Sequence, residues 1–354
     1  MAENVASTQQ TSALCLGPRR KASATDPLVF HGRHFGRTIH AMANIKALFQ
    51  EALTLMAEEG EVSDEDRTLE QRKVLKAFQR LLCIVPNFTE RIMSSEPDEV
   101  MEFAALVQKG ASAARADDTK GLKGAVLEWL TPPGVPLVPS ISPRDKVGRG
   151  FRHPITGRLL CPAGLDWDNE EISTKLASGE MVIQGDQWPL FVYAHSEYDP
   201  EDPWTGLFRG ELLVKAAKYI FTTPTSVDNE SKATRSGNAR LHGMTQMTTA
   251  AIAYVATQVR FALSSAAVFT RTDITTASEY FYRTLLDFLD DLDEKDEVDE
   301  LLNWWNCRIF PHHIVREHAV SKQSALAQLK QKRAAKQAAR IGGSAENRDE
   351  GGAQ

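Results

Sequence analysis

Apolar positions recur at helical spacing through most of this chain, in blocks separated by polar or proline-rich breaks. Met42, Ile45, Phe49, Ala52, Leu53 and Met56 fall on one face of a first helix. Ser63 and Asp66 read as a capping-box start for a second, carrying Leu75, Phe78, Leu82 and Val85 and stopped by Pro86. Val100, Phe103, Ala104 and Val107, then Leu122, Val126, Trp129 and Leu130, predict two shorter helical faces. The segment between them, 109–123, is polar and reads as a loop. Asp202-Pro203 reads as the opening of another helix, with Trp204, Leu207, Phe208, Leu212, Ala216, Tyr219 and Ile220 facing inward until Thr223-Pro224. The stretch 248–268 is apolar nearly all round and predicts a central, buried helix. Residues 280–305 predict one amphipathic helix rich in acids, and 321–340 a basic, alanine-rich one.

Two regions resist this reading. Residues 1–38 are rich in Ser, Thr and Ala without apolar periodicity and are expected to form a disordered arm. Thr131–Gly150 carries five prolines and three glycines, which excludes regular structure and marks a linker. Arg158–Cys161 and Met181–Gln184 have short β-like patterns. The expected fold is therefore mainly α: a bundle-like multi-helix core with a few short β-strands or hairpins in its middle section. The expected organisation is an arm at 1–38, helices at 39–130, a linker at 131–150, a main helical domain at 151–313, and a basic helix with a disordered tail at 314–354.

Charge changes this picture in one place. The 354 residues carry a formal net charge of −6. Residues 316–340 nevertheless hold seven Lys or Arg against the single acid Glu317. Lys330, Lys332, Arg333, Lys336 and Arg340 concentrate that charge into a candidate arm for a polyanion or a nuclear signal; a solvated helix is the plainer alternative. The start of the chain lacks the apolar core of a secretory signal, and the four cysteines are far apart with no CxxC pair. Both features point to an intracellular protein, in cytoplasm or nucleus, without a disulfide framework. No stretch reads as a membrane span, so no membrane partner is expected.

The densest group of hydrogen-bond donors lies at 231–244. Lys232, Arg235, Arg240 and His242 stand with Ser236 and Asn238 around Gly237, a composition suited to anions or to an acidic partner surface. It lacks the Walker spacing and the glycine that a nucleophile elbow needs before Ser236. The bland alternative is a turn whose arginines pair with the acids of 287–300. A second candidate comprises Arg115, Asp117, Asp118 and Lys120. Either aspartate suits the N-cap of a helix reaching Trp129, and the pair is also a conceivable Mg²⁺ site. His195 among Glu197, Asp199, Glu201 and Asp202 reads as turn chemistry. The spacings of His312, His313 and His318 do not suit zinc. No catalytic set, metal site or cofactor is assembled from these residues.

Several words of the sequence resemble a known family: GFRHPITGRLLCPAGLDWD at 150–168, GDQWPLFVYA at 185–194, EDPWTGLFRGELLV at 201–214, KATRSGNARLHGM at 232–244 and IAYVATQVRFALSS at 252–265. They resemble a lineage-expanded family of mushroom-forming (basidiomycete) fungi that carries a domain of unknown function. KGASAARADDTKGLKGAV at 109–126 resembles its N-terminal half, and the likeness spans roughly 41–311. It implies fungal, intracellular origin and brings no activity, cofactor or catalytic residue. The functional expectation is a non-enzymatic module binding protein or nucleic acid through 232–242 and the basic tail. The alternative is an enzyme acting on a phosphorylated or other anionic small molecule.

Overall fold

A computed structural model describes residues 26–58, 66–131, 134–143, 145–227, 237–270, 277–311 and 332–333. Among these residues twelve α-helices form, and the unit Met1–Pro311 contains all of them. Lys332 and Arg333 belong to a separate unit, His312–Gln354, where they are helical and exposed. In chain order the helices are α1 (Pro27–Thr38), α2 (Ile45–Ala57), α3 (Leu69–Ile84), α4 (Phe88–Met93), α5 (Pro97–Trp129), α6 (Pro154–Leu160), α7 (Glu170–Ser178), α8 (Glu211–Ala217), α9 (Asn238–His242), α10 (Thr249–Leu263), α11 (Ser278–Leu289) and α12 (Lys295–Ile309).

The expected mainly helical fold holds, but the short β-strands do not. Among the described residues the only strand-like features are two isolated bridges, Pro162 with Pro189 and Tyr193 with Leu207. Proline lacks the N–H a ladder needs, so the first bridge cannot extend. Arg158–Leu160 instead completes α6, started by Pro154 at its first position and by the His153 imidazole accepting from Ile155 N–H at 3.2 Å. Residues 181–184 have no regular structure.

The largest departure is at the N-terminus. Pro27–Thr38, expected within the disordered arm, is helix α1, and it packs along α5. Asp26 caps it, accepting from Leu28 N–H at 2.8 Å, with Pro27 at the first position. Its buried face contains Gly32 and Gly36, which apolar periodicity does not count. The polar segment 109–123 is likewise not a loop but the middle of the 33-residue α5. Its buried residues there are Gly110, Ala111, Ala114, Asp118 and Leu122. The two faces meet backbone to backbone. A Cβ on Gly110 would come within 2.1 Å of the Val29 carbonyl, and one on Gly32 within 2.2 Å of the Val107 carbonyl.

Smaller corrections share a cause in local turn chemistry. The cap of α3 is Thr68, reciprocally bonded with Gln71, rather than Ser63 with Asp66. Asp202-Pro203 starts only a turn, in which Asp202 accepts from the Thr205 hydroxyl at 2.6 Å. Left-handed Gly206 and Phe208 then break the chain before α8 begins. The acidic run 280–305 divides into α11 and α12 at a turn where the Asp291 carboxylate accepts from Asp293 N–H at 3.0 Å.

Two apolar clusters result. One gathers Leu28, Phe35, Phe49, Phe78, Phe88, Phe103 and Val107 from α1–α5. The other surrounds α10, which is buried at all but Thr249 and Arg260, and includes Leu122 and Val126 from the far end of α5. The proline-rich connection is pinned to the C-terminus of α10 by two buried cations. Arg149 donates to the carbonyls of Lys123 at 2.7 Å and Ala262 at 2.8 Å. Lys146 donates to the Phe261 carbonyl, and its ammonium lies 3.3 Å from the Phe261 ring centroid. Positive charge is favoured at a helix C-terminus. Burial, followed by repulsion from Arg149 and Lys123, nevertheless lowers the Lys146 pKa to about 7.

The α1–α5 contact predicts opposite outcomes for two glycines of α5. Gly110→Ala adds a methyl against rigid backbone and is expected to destabilise by about 1–3 kcal/mol, outweighing a helix-propensity gain of ~1 kcal/mol. Gly124→Ala enters open space, with nothing within 4 Å of its Cβ, and should stabilise by up to ~1 kcal/mol. Urea unfolding midpoints of the two variants check the sign of each effect.

Candidate functional site

The described part of the donor-rich segment is the short helix α9. Lys232, Arg235 and Ser236 lie outside the described residues. Asn238 opens α9 and donates through Nδ2 to the Ile220 carbonyl at 2.5 Å. Gly237 precedes it with no room for a side chain, since a Cβ there would sit 1.6 Å from the Thr222 carbonyl. The start of α9 is thereby fixed on the π-helical turn Lys218–Thr222. Arg240 points to solvent and makes no ion pair among the described residues; the acids at 287 and 300 pair instead with Lys73 and Arg209.

His242 is placed by stacking. Phe30 and His34 lie four residues apart on α1 and so share a face. The His242 ring stacks on both, with centroids 4.0 Å from Phe30 and 4.7 Å from His34. Burial is the largest cause of a lowered pKa in both imidazoles, to about 4 for His34 and about 3 for His242. Arg37 and His31 lower both further, and on His242 the stacked His34 acts most after burial, with Arg33 adding to it. His242 is thus a neutral packing group at physiological pH. Beside it Leu241 is 54% exposed and Phe30 39% exposed, which makes this a surface with apolar content rather than the floor of a pocket.

The second candidate group separates into different roles. Asp117 and Asp118 are not N-caps, because α5 begins at Pro97 with Glu96 as its cap. Asp117 pairs at the surface with Arg33 at 2.7 Å. Asp118 is buried and accepts three hydrogen bonds: Arg37 Nε at 2.7 Å, Arg37 Nη2 at 2.8 Å and the Tyr254 hydroxyl at 2.6 Å. Arg37, Asp118 and Tyr254 are only 2%, 7% and 1% exposed. Burial, followed by the Asp118 charge, holds Tyr254 well above the ordinary phenol range, so it stays protonated and donates. Arg115 donates to the Ala41 carbonyl at 3.0 Å, and Lys120 is exposed. Among the described residues no group of three His, Cys, Asp or Glu is placed to hold a metal ion. Of the basic arm, Lys332 and Arg333 are exposed, while Lys330, Lys336 and Arg340 lie outside the described residues.

Two clefts lie elsewhere. One of about 320 Å³ separates α2 and α3 from α11 and is spanned by ion pairs of Lys73 with Asp287 at 2.7 Å and Lys76 with Asp290 at 3.4 Å. The other, about 650 Å³, is lined by Trp129, Trp167 and Phe191 together with His195, Glu211 and Lys215. Neither is lined by α9. The sequence signal at His195 was a turn among acids. Its cleft partners come from α5, α6 and α8, so no local motif announces them.

A family model matches residues 109–310, and the chain belongs to that family, DUF6698, a family of unknown function. No curated protein and no solved structure matches the chain. The match begins within α5 and so includes Asp118, Tyr254, α9 and the larger cleft, whereas α1 precedes it.

Removing the Asp118 carboxylate strands the buried Arg37 guanidinium. Asp118→Ala is therefore expected to cost about 3–5 kcal/mol, and Tyr254→Phe, which removes one donor, roughly 1.5–3 kcal/mol; chemical denaturation measures both. The histidine stack predicts an acid limb. Unfolded imidazoles take up protons near pH 6.5 whereas the folded ones resist until about 4 and 3. The stability this stack contributes is complete above about pH 6.5 and declines as pH falls towards those folded values. A thermal-melting series should show this limb flattened in the double variant His34→Phe with His242→Phe.

Proposed function

We propose that this chain is a non-enzymatic interaction module that docks protein or nucleic acid through the face where α9 lies on α1, with the basic segment at 330–340 as an auxiliary arm. One observation carries the reading: Arg240 is solvent-exposed with no ion pair among the described residues, and it adjoins the exposed Leu241 on the helix whose His242 stacks on the exposed Phe30, outside both clefts. A cation next to exposed apolar surface suits a partner that is anionic and has apolar or stacking groups. An enzyme using Arg240 and His242 has less support. His242 is stacked and strongly disfavours a proton, and the nearby acids Asp117 and Asp118 are committed to Arg33 and Arg37.

The resemblance to a family of mushroom-forming fungi supports a fungal source. The wide cysteine spacing supports an intracellular setting, cytoplasmic or nuclear. No described helix is long and apolar enough to cross a membrane, consistent with partners that are not membranes.

The test is fluorescence anisotropy of short DNA and RNA probes across a salt series, using the full chain. Nucleic-acid docking predicts a log–log salt slope of about 0.9 per neutralised duplex phosphate. Arg240→Ala should weaken binding, and changing Lys330, Lys332, Arg333, Lys336 and Arg340 together to Gln should flatten the slope. Absence of binding near physiological salt removes nucleic acid as partner. Crosslinking in native extract then tests the protein partner: crosslinks should map to α1 and α9 and disappear in Arg240→Glu with Leu241→Asp. Crosslinks confined to other surfaces would overturn the docking face.

A further inference from the structure

Three Ser-Pro or Thr-Pro pairs occur in this chain, at Thr131, Ser142 and Thr223, and the fold treats them differently. Thr223 is buried, caps the turn Pro224–Ser226 and bonds through its hydroxyl to Thr225 at 3.1 Å. Thr131 is half-buried, just beyond the C-terminal end of α5. Ser142 is exposed, in a stretch (135–143) that has neither helix nor strand. It is thus the pair whose hydroxyl side chain and flanking chain are both presented to solvent.

The connection is held tightly on either side of Ser142 and loosely at Ser142 itself. The His153 imidazole accepts from Ile155 N–H at Nδ1, so its Nε2 carries the proton and donates to the Pro139 carbonyl at 2.8 Å. On the other side Arg149 donates to the carbonyls of Lys123 at 2.7 Å and Ala262 at 2.8 Å. Between these anchors, Arg149 Nη2 reaches the Ser142 and Pro143 carbonyls at 3.5 and 3.3 Å, longer than a usual N–H···O bond. The chain can therefore lift at Ser142 without unseating either anchor.

Beneath it the ground is cationic. Arg149 is 0% and Lys146 2% exposed. Neither is paired with a carboxylate; their partners are backbone carbonyls, the Ser264 hydroxyl and the Phe261 ring. Arg149 Nε is buried with no partner among the described residues. Asp145 opposes, without reversing, the lowering of the Arg149 pKa by burial. The Ser142 hydroxyl lies within about 5 Å of its own carbonyl, which touches Arg149, so a phosphate there sits within about one Debye length of the guanidinium.

We propose that Ser142 is a phosphorylation site for a proline-directed serine/threonine protein kinase, and that its phosphate draws the proline-rich connection towards Arg149 and Lys146. In the transfer, Ser142 Oγ bonds to the γ-phosphorus of ATP and the bond from that phosphorus to the ADP oxygen breaks. The hydroxyl proton passes to the kinase's catalytic carboxylate. Pro143 supplies specificity: it has no N–H, so it suits an apolar kinase pocket that offers no acceptor. The product carries a charge of about −1.5 to −2 and three acceptor oxygens, placed beside cations that no carboxylate neutralises. The inference is independent of the docking face, which shares none of these residues.

The test incubates the folded full chain with ATP and a purified cyclin-dependent kinase, and maps the product by tandem mass spectrometry. One phosphoryl group on Ser142 is expected. Ser142→Ala and Pro143→Ala should each cut transfer by about ten-fold or more, and Ser142→Ala should leave the melting temperature unchanged. The phosphorylated chain should melt about 2 °C higher at low ionic strength. That increment should vanish in about 1 M salt, where the Debye length falls to about 3 Å. No transfer, transfer to Thr131 or Thr223 instead, or transfer that survives Pro143→Ala would each overturn the proposal. So would a phosphorylated chain that melts no higher, or an increment that survives the salt.

Discussion

The carboxylate of Asp118 is the constraint around which the described unit is arranged. It sits in the interior on α5 and takes two hydrogen bonds from Arg37 of α1 and one from Tyr254 of α10. A buried carboxylate without partners would be expelled or protonated. Three donors from two other helices keep it in place, and satisfying it fixes the positions of α1 and α10 against α5. The glycine contacts of α1 on α5 hold the same two helices together, since Gly32 and Gly110 let the backbones meet where a side chain would not fit. Replacing such a triad by apolar groups could preserve stability. Its distinctive contribution is directional, since only one register of the three helices brings all the donors to one acceptor.

This arrangement also decides what the surface offers. Helix α9 is too short to hold itself and depends on neighbours: Asn238 on the Ile220 carbonyl, and His242 on Phe30 and His34. The exposed group Arg240–Leu241–Phe30 is therefore a product of α1 being docked on Asp118. Since α1 precedes the family-matched segment, the face joins a matched helix, α9, to an element from outside the match. The aromatic cleft is different, as every residue lining it falls within 109–310.

Legibility from sequence followed the chemistry of each buried face. Helices whose inner faces are Leu, Ile, Val and Phe, such as α2, α3 and α10, stand out by periodicity, and only their ends shift with cap and turn geometry. Helix α1 and the middle of α5 do not, because Gly32, Gly36 and Arg37 interrupt the apolar face of the first, and Gly110, Ala111, Ala114 and Asp118 make up most of the second. Those residues are indistinguishable from loop composition until the partner helix is known. The β-like pieces failed because three or four alternating residues carry too little signal against Pro154 and its cap. Among site residues, the grouping of Asn238, Arg240 and His242 was visible as a local cluster. That Asp118 is structural and that Lys215 shares a cleft with Trp129 and Trp167 was not.

The sequence by itself determined that the chain is mainly helical, which helix is central, where the proline-rich connection falls, and where hydrogen-bond donors concentrate. These are properties of neighbouring residues, set by backbone propensity and the 3.6-residue period. Only the tertiary structure decided which charges are satisfied internally and which remain at the surface. Asp118 and Arg37 are adjacent only after folding, and so are Trp129 with Tyr219 and His242 with Phe30. Pairing of charges and rings acts across space over a few ångströms, and the chain brings those groups within range only when its helices have packed.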